Sequence, residues 1–144
     1  MNIIIRECAE TDATAIHKLS RDELGYNYSL ADTTEKLRCL LTDSSHKILV
    51  ACIGELIVGY VHANDYDVLY APHLKNIMGI AVSNAHRGLG IGRALLENIE
   101  RWAKDTGAAG IRLVSGAERT GAHIFYKKCG YTVGKQQLNI KKLL

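Results

Sequence analysis

The chain has 144 residues, a length that fits one domain of ordinary size. It is 47% hydrophobic and 23% charged, which excludes disordered and fibrous classes. Net charge is +3 but unevenly spread: residues 1–74 hold 6 Lys and Arg against 11 Asp and Glu, and residues 75–144 hold 12 against 4. A basic half suits a polyanionic ligand and an acidic half a cationic one. No apolar run approaches the roughly 18 residues needed to span a bilayer. The charged N-terminus predicts no secretory signal. Cys8, Cys39, Cys52 and Cys129 form no CxxC pair, so reduced, mostly buried thiols in the cytoplasm are expected, without a metal.

In chain order, Ile3 to Glu7 predicts a first strand, and Thr11 to Leu24 a helix with Ala13, Ile16, Leu19 and Leu24 near one face. Gly25 to Ala31 predicts a loop. Asp32 with Glu35 resembles a capping box, opening a helix whose Leu37, Leu40 and Leu41 face inward. Lys47 to Ile53 and Leu56 to Ala63 predict a hairpin turning at Gly54 and Glu55. The polar stretch from Asn64 to Leu74 gives no clear pattern. Asn76 to Val82 predicts a buried strand. Gly92 to Thr106 predicts a helix with a Leu95, Ile99 and Trp102 stripe and i,i+4 pairs Glu97–Arg101 and Glu100–Lys104. Ile111 to Ser115 predicts a strand, Arg119 to Cys129 a helix ended by Gly130, and Tyr131 to Val133 with Leu138 to Lys142 two closing strands. This order indicates one α/β domain over residues 1–144, a mixed sheet with helices on its faces.

Gly88, Gly90 and Gly92 fall between a predicted buried strand and the best-defined helix. Glycine allows close backbone approach, and a helix N-terminus presents unpaired N–H groups with a positive dipole end. Together they suit a phosphate, with Arg87 and Arg93 adding formal charge. The Walker pattern GxxxxGK[ST] is absent here. Arg93 stands where a dinucleotide fingerprint needs its third glycine.

The run AHRGLGIGRALL, Ala85 to Leu96, resembles the coenzyme A loop of the GNAT superfamily of N-acetyltransferases, whose signature is filled by Arg87, Gly90 and Gly92. AHIFYKKCGY, Ala122 to Tyr131, resembles that family's late helix and the turn after it. The order of elements matches along nearly the whole chain. The resemblance implies a mostly antiparallel α+β sheet with a splayed parallel pair. It implies acetyl-coenzyme A as co-substrate, with pyrophosphate on the amides of Arg87, Gly88, Leu89, Gly90, Ile91, Gly92 and Arg93. It implies a pantetheine arm paired along Ile80, Ala81 and Val82, where a bulge near Gly79 or Ile80 would free an N–H for the thioester oxygen. Arg119 replaces the asparagine that many members carry, and a guanidinium there suits a coenzyme phosphate.

The family position of the general acid is occupied by Tyr126. Full proton transfer from a tyrosine to a thiolate is uphill by about 2 kcal/mol, so hydrogen-bond donation is its expected main role. An alkyl amine is only about one part in 10³ neutral at pH 7, so the acceptor must lose a proton. Asp65, Asp67 and His73 are the candidate bases. Tyr26, Tyr28, Asp65, Tyr66 and Asp67 make a candidate pocket for a cationic amine. His17, His46 and His62 show no metal-ligand spacing. The resulting expectation is N-acetyl transfer to a primary amine of a small molecule or protein, with a homodimer usual for the family and neither nucleic acid nor membrane as partner. A coenzyme A-binding regulator without turnover is the alternative.

Overall fold

A computed structural model of the chain describes residues 2–144. The chain forms two compact units, Met1–Arg112 and Leu113–Leu144.

The first unit is built on a sheet of order β1-β2-β3-β4-β5, with β1 Ile3–Glu7, β2 His46–Ile53, β3 Leu56–Tyr66, β4 Leu74–Val82 and β5 Gly110–Leu113. The first four strands are antiparallel neighbours. β5 follows a crossover helix and runs parallel to β4: Ala109 N–H donates to His73 O at 2.8 Å, and Arg112 Nη1 donates to Asn76 Oδ1 at 2.6 Å. The four residues of β5 thus lie along the first half of β4. Among the described residues, Met78–Val82 has a strand on the β3 side only.

Two helices cover one face, α1 (Ala13–Leu24) and α2 (Leu30–Leu41). Ile16, Leu19 and Leu37 pack there on Ile48, Val50, Cys52, Tyr60 and Ala81. Side chains alternate along a strand, so Gly59 looks the other way, toward Ile91 and Leu95 of α3 (Ile91–Asp105). Leu95 and Ile99 are fully buried, as their stripe predicts. Under the α1 entry, Arg6 donates twice to the buried Asp12 carboxylate, at 2.8 and 2.9 Å, and Ala9 N–H adds a third bond at 2.8 Å. The Arg6 bonds hold the Asp12 carboxyl below its usual range.

The second unit holds α4 (Thr120–Lys128), closed by Gly130 in the left-handed region (φ 93°). Beyond α4 the chain has no regular secondary structure. The two closing strands expected at Tyr131 to Val133 and Leu138 to Lys142 are therefore not formed. Leu138 and Ile140 are exposed. Their alternation fits a strand, but pairing needs a partner that the sequence pattern does not specify.

Three other expectations are corrected. α2 starts three residues early: Ser29 is its cap, accepting from Asp32 N–H at 3.0 Å, so Asp32 lies in the first turn. Leu41 is 37% exposed, since the inward stripe already ends at Leu40. Cys39 is exposed rather than buried.

Candidate active site

The glycine loop enters α3 by two left-handed residues, Gly88 at φ 79° and Gly90 at φ 81°. A Cβ built at either would project into open space. Gly90 is the helix cap, and no acidic residue sits in the first turn. Gly92 is already helical, since α3 starts at Ile91, one residue before the start that the sequence suggests. Ile91 is buried and anchors the turn, while Leu89 stays exposed. The loop therefore offers bare backbone and a positive dipole end, worth about 0.3–2 kcal/mol toward an anion. Those features fit the pyrophosphate of coenzyme A.

Arg87 is held sideways. Its Nη2 donates to Glu23 Oε1 at 3.0 Å, and Glu23 Oε2 accepts from Asn84 N–H at 3.0 Å. Glu23 sits near the end of α1, and it thereby ties α1 to both ends of the turn before the glycines. Sequence reasoning missed Glu23, because no local spacing links it to a residue sixty positions away.

The β4 bulge is present. His62 faces Gly79 and Ala63 faces Ile77, which leaves Met78 as the extra residue. It falls one position before the expected Gly79 or Ile80. The pattern of Met78, Gly79, Ile80, Ala81 and Val82 along an edge open on one side is what β-augmentation by an extended ligand requires.

Asp65, Asp67 and His73 do come together, though around a lysine. Lys75 is 2% exposed; its Nζ lies 2.5 Å from Asp65 Oδ1, 3.2 Å from His73 Nε2 and 4.0 Å from the Trp102 ring centroid. His73 Nδ1 is 2.8 Å from Asp67 Oδ1. With Lys75 Nζ as donor to Nε2, the His73 Nδ1–H donates to Asp67, so every group is engaged. The contact with Trp102 places Asp65 and Lys75 on the α3 face. Tyr66 stacks under the Arg112 guanidinium at 4.3 Å.

Tyr26 and Tyr28 stand elsewhere, at the mouth of a cavity of about 410 Å³ on the α1/α2 face. Ile16, Leu37, Leu40 and Ile48 form its apolar walls. Ser20, Tyr60 and His62 supply polar atoms, and Lys36 stands on α2 at its edge. Ser20 and Tyr60 share a hydrogen bond of 2.7 Å. His62 Nε2 lies 2.9 Å from His46 Nδ1. Burial, with His46 beside it, pulls the His62 pKa down to about 4, so its ring is neutral near pH 7. Sequence spacing treated these two histidines as unrelated; the β2–β3 register joins them.

In the second unit, Tyr126 lies on α4 with its ring 5.9 Å from that of Tyr131. Burial raises its pKa above 10 and the Arg119 charge partly opposes this, so the phenol keeps its proton at neutral pH. Arg119 caps α4, its N–H donating to Gly116 O at 3.0 Å.

The fold is that of a class of acyltransferases. The chain belongs to the Acetyltransferase (GNAT) family, whose profile matches residues 13–131. It is 28% identical to streptothricin acetyltransferase of Escherichia coli, over 93% of this chain and 81% of that protein. It is also 28% identical to aminoglycoside N(6')-acetyltransferase type 1 of Stenotrophomonas maltophilia, over 88% and 84% of the two chains. Among solved structures, a transcriptional regulator from Bacillus halodurans C-125 aligns with a TM-score of 0.86 at 27% identity, covering 98% of this chain and all of that one. AAC(6')-Iy bound to a bisubstrate analogue of coenzyme A aligns with a TM-score of 0.88 over the full length of both chains, at 15% identity, a likeness of fold.

Proposed function

We propose that this acetyltransferase moves the acetyl group of acetyl-coenzyme A to a primary amine. The observation that carries the reading is the pairing of two left-handed glycines at the mouth of α3 with a bulged, half-open β4. The amides from Arg87 to Arg93 would hold the pyrophosphate, with Arg119 a further phosphate partner. Ile80, Ala81 and Val82 would pair with the pantetheine arm. An N–H freed at the bulge would stabilise the tetrahedral oxyanion. The amine nitrogen attacks the thioester carbon, the C–S bond breaks, and the thiolate leaves toward the Tyr126 hydroxyl. The amine proton leaves through water; Asp65 and the Asp67–His73 pair, the bases expected from the sequence, are engaged with Lys75 and with each other. Four free thiols, one exposed, fit a reducing compartment such as the cytoplasm.

Thiol release from acetyl-coenzyme A across an amine panel tests this. Tyr126→Phe should lower kcat by about tenfold or more while leaving coenzyme affinity within twofold or so. The 27% identical neighbour described as a transcriptional regulator supports a second reading, a coenzyme-binding regulator. That reading predicts coenzyme binding with no thiol release from any amine.

A further inference from the structure

We infer that the cavity on the α1/α2 face is the acceptor subsite, and that it selects an amine carried on an apolar aromatic or branched body with no second cationic centre. The inference rests on the acetyl-transfer reading and narrows its substrate class.

The position comes from strand register. Tyr60 and His62 stand opposite Ala81 and Gly79. The Tyr60 hydroxyl lies 4.0 Å from where a Gly79 Cβ would be. A ligand in the cavity therefore abuts the bulged stretch of β4, where the thioester is placed by the proposed function.

The selectivity comes from charge. Among the described residues no carboxylate lines the cavity, and Lys36 is the lysine that does. Its other polar atoms belong to hydroxyls, an amide and a neutral imidazole. These accept a hydrogen bond from an amine without neutralising extra positive charge, and the exposed Tyr26 and Tyr28 add aromatic lining suited to one cation. A polycation would lose hydration against apolar walls and meet Lys36 as a like charge. The carboxylates that seemed suited to a cationic acceptor are elsewhere: Asp65 is bound to Lys75 on the α3 face, and Asp67 to His73. The Tyr26 and Tyr28 part of the expected pocket thus separates from its acidic part.

The experiment compares phenethylamine with spermine and kanamycin in thiol release, on the full chain and on Lys36→Glu, with acetyl-coenzyme A affinity measured calorimetrically for both. The wild type should favour phenethylamine in kcat/KM by about tenfold or more, and Lys36→Glu should shift the ratio toward the polycations by about tenfold at unchanged coenzyme affinity. A wild type that prefers a polycation, or a ratio unmoved by Lys36→Glu, overturns the inference. NMR titration of the Tyr60 and His62 ring signals separates it from the reaction itself. Shifts with phenethylamine and none with spermine, without thiol release, keep the cavity's selectivity and sink the acetyl-transfer reading. Turnover of phenethylamine without any shift at His62 or Tyr60 sinks the cavity assignment and keeps the reaction.

Discussion

His62 shows how much one side chain gains from its neighbours. As a free imidazole it would titrate near 6.5; buried against His46 it is held near 4. The unfolded chain therefore takes up a proton first as pH falls. Stability is full above about 6.5, declines through the window down to about 4, and levels off below it, a loss of about 3 kcal/mol. Urea unfolding at pH 7 and pH 5 should show about 2 kcal/mol of this loss, and His62→Gln should flatten the difference. An equal pH response in the variant would place its origin in other groups. Gly59 is a second residue whose role is steric. A Cβ there would stand 3.0 Å from Ala81 O and 3.2 Å from Ile91 Cγ2. Gly59→Ala should cost about 1–3 kcal/mol by overpacking, read as a lowered Tm. An unchanged Tm would show that α3 shifts away without penalty.

Among the elements, α3 and its loop carry the coenzyme assignment. The loop keeps its shape through Gly88 and Gly90 and through the Glu23 clasp on Arg87 and Asn84. Glu23→Ala should weaken acetyl-coenzyme A binding by about three- to tenfold, since the clasp acts by positioning the loop. Unchanged affinity would mean the glycines alone set the loop. The sequence made β1 legible to the residue, because Ile3 to Glu7 is a short apolar run bounded by charge, and it made α3 legible within one residue. It left the start of α2 in error, since Ser29 and Asp32 are both good caps and only packing chooses between them. It left 64–74 unread, because the end of β3 is polar: Asn64 pairs with Asn76 and Asp65 with Lys75 across the sheet. The bulge was legible to within one residue as a family feature, whereas the cavity was not, because its walls come from four elements distant in sequence.

For the whole molecule, charge asymmetry and topology agree: the acidic first half supplies α1, α2 and the first strands, and the basic second half supplies the glycine loop and α3. Residues 131–144 carry exposed apolar side chains and no regular structure. Hydrogen exchange should show their amides exchanging far faster than those of β2 and β3. Strong protection would instead mean that these residues pair as a strand, as the sequence pattern suggests, and would direct attention to a second copy as the partner. The account depends most on the grip of the α3 mouth on a diphosphate. Calorimetric titration of the folded chain with acetyl-coenzyme A measures it directly. One site per chain with micromolar or tighter affinity, weakened in Gly90→Val, is the predicted result; no heat of binding from a chain shown to be folded would contradict it.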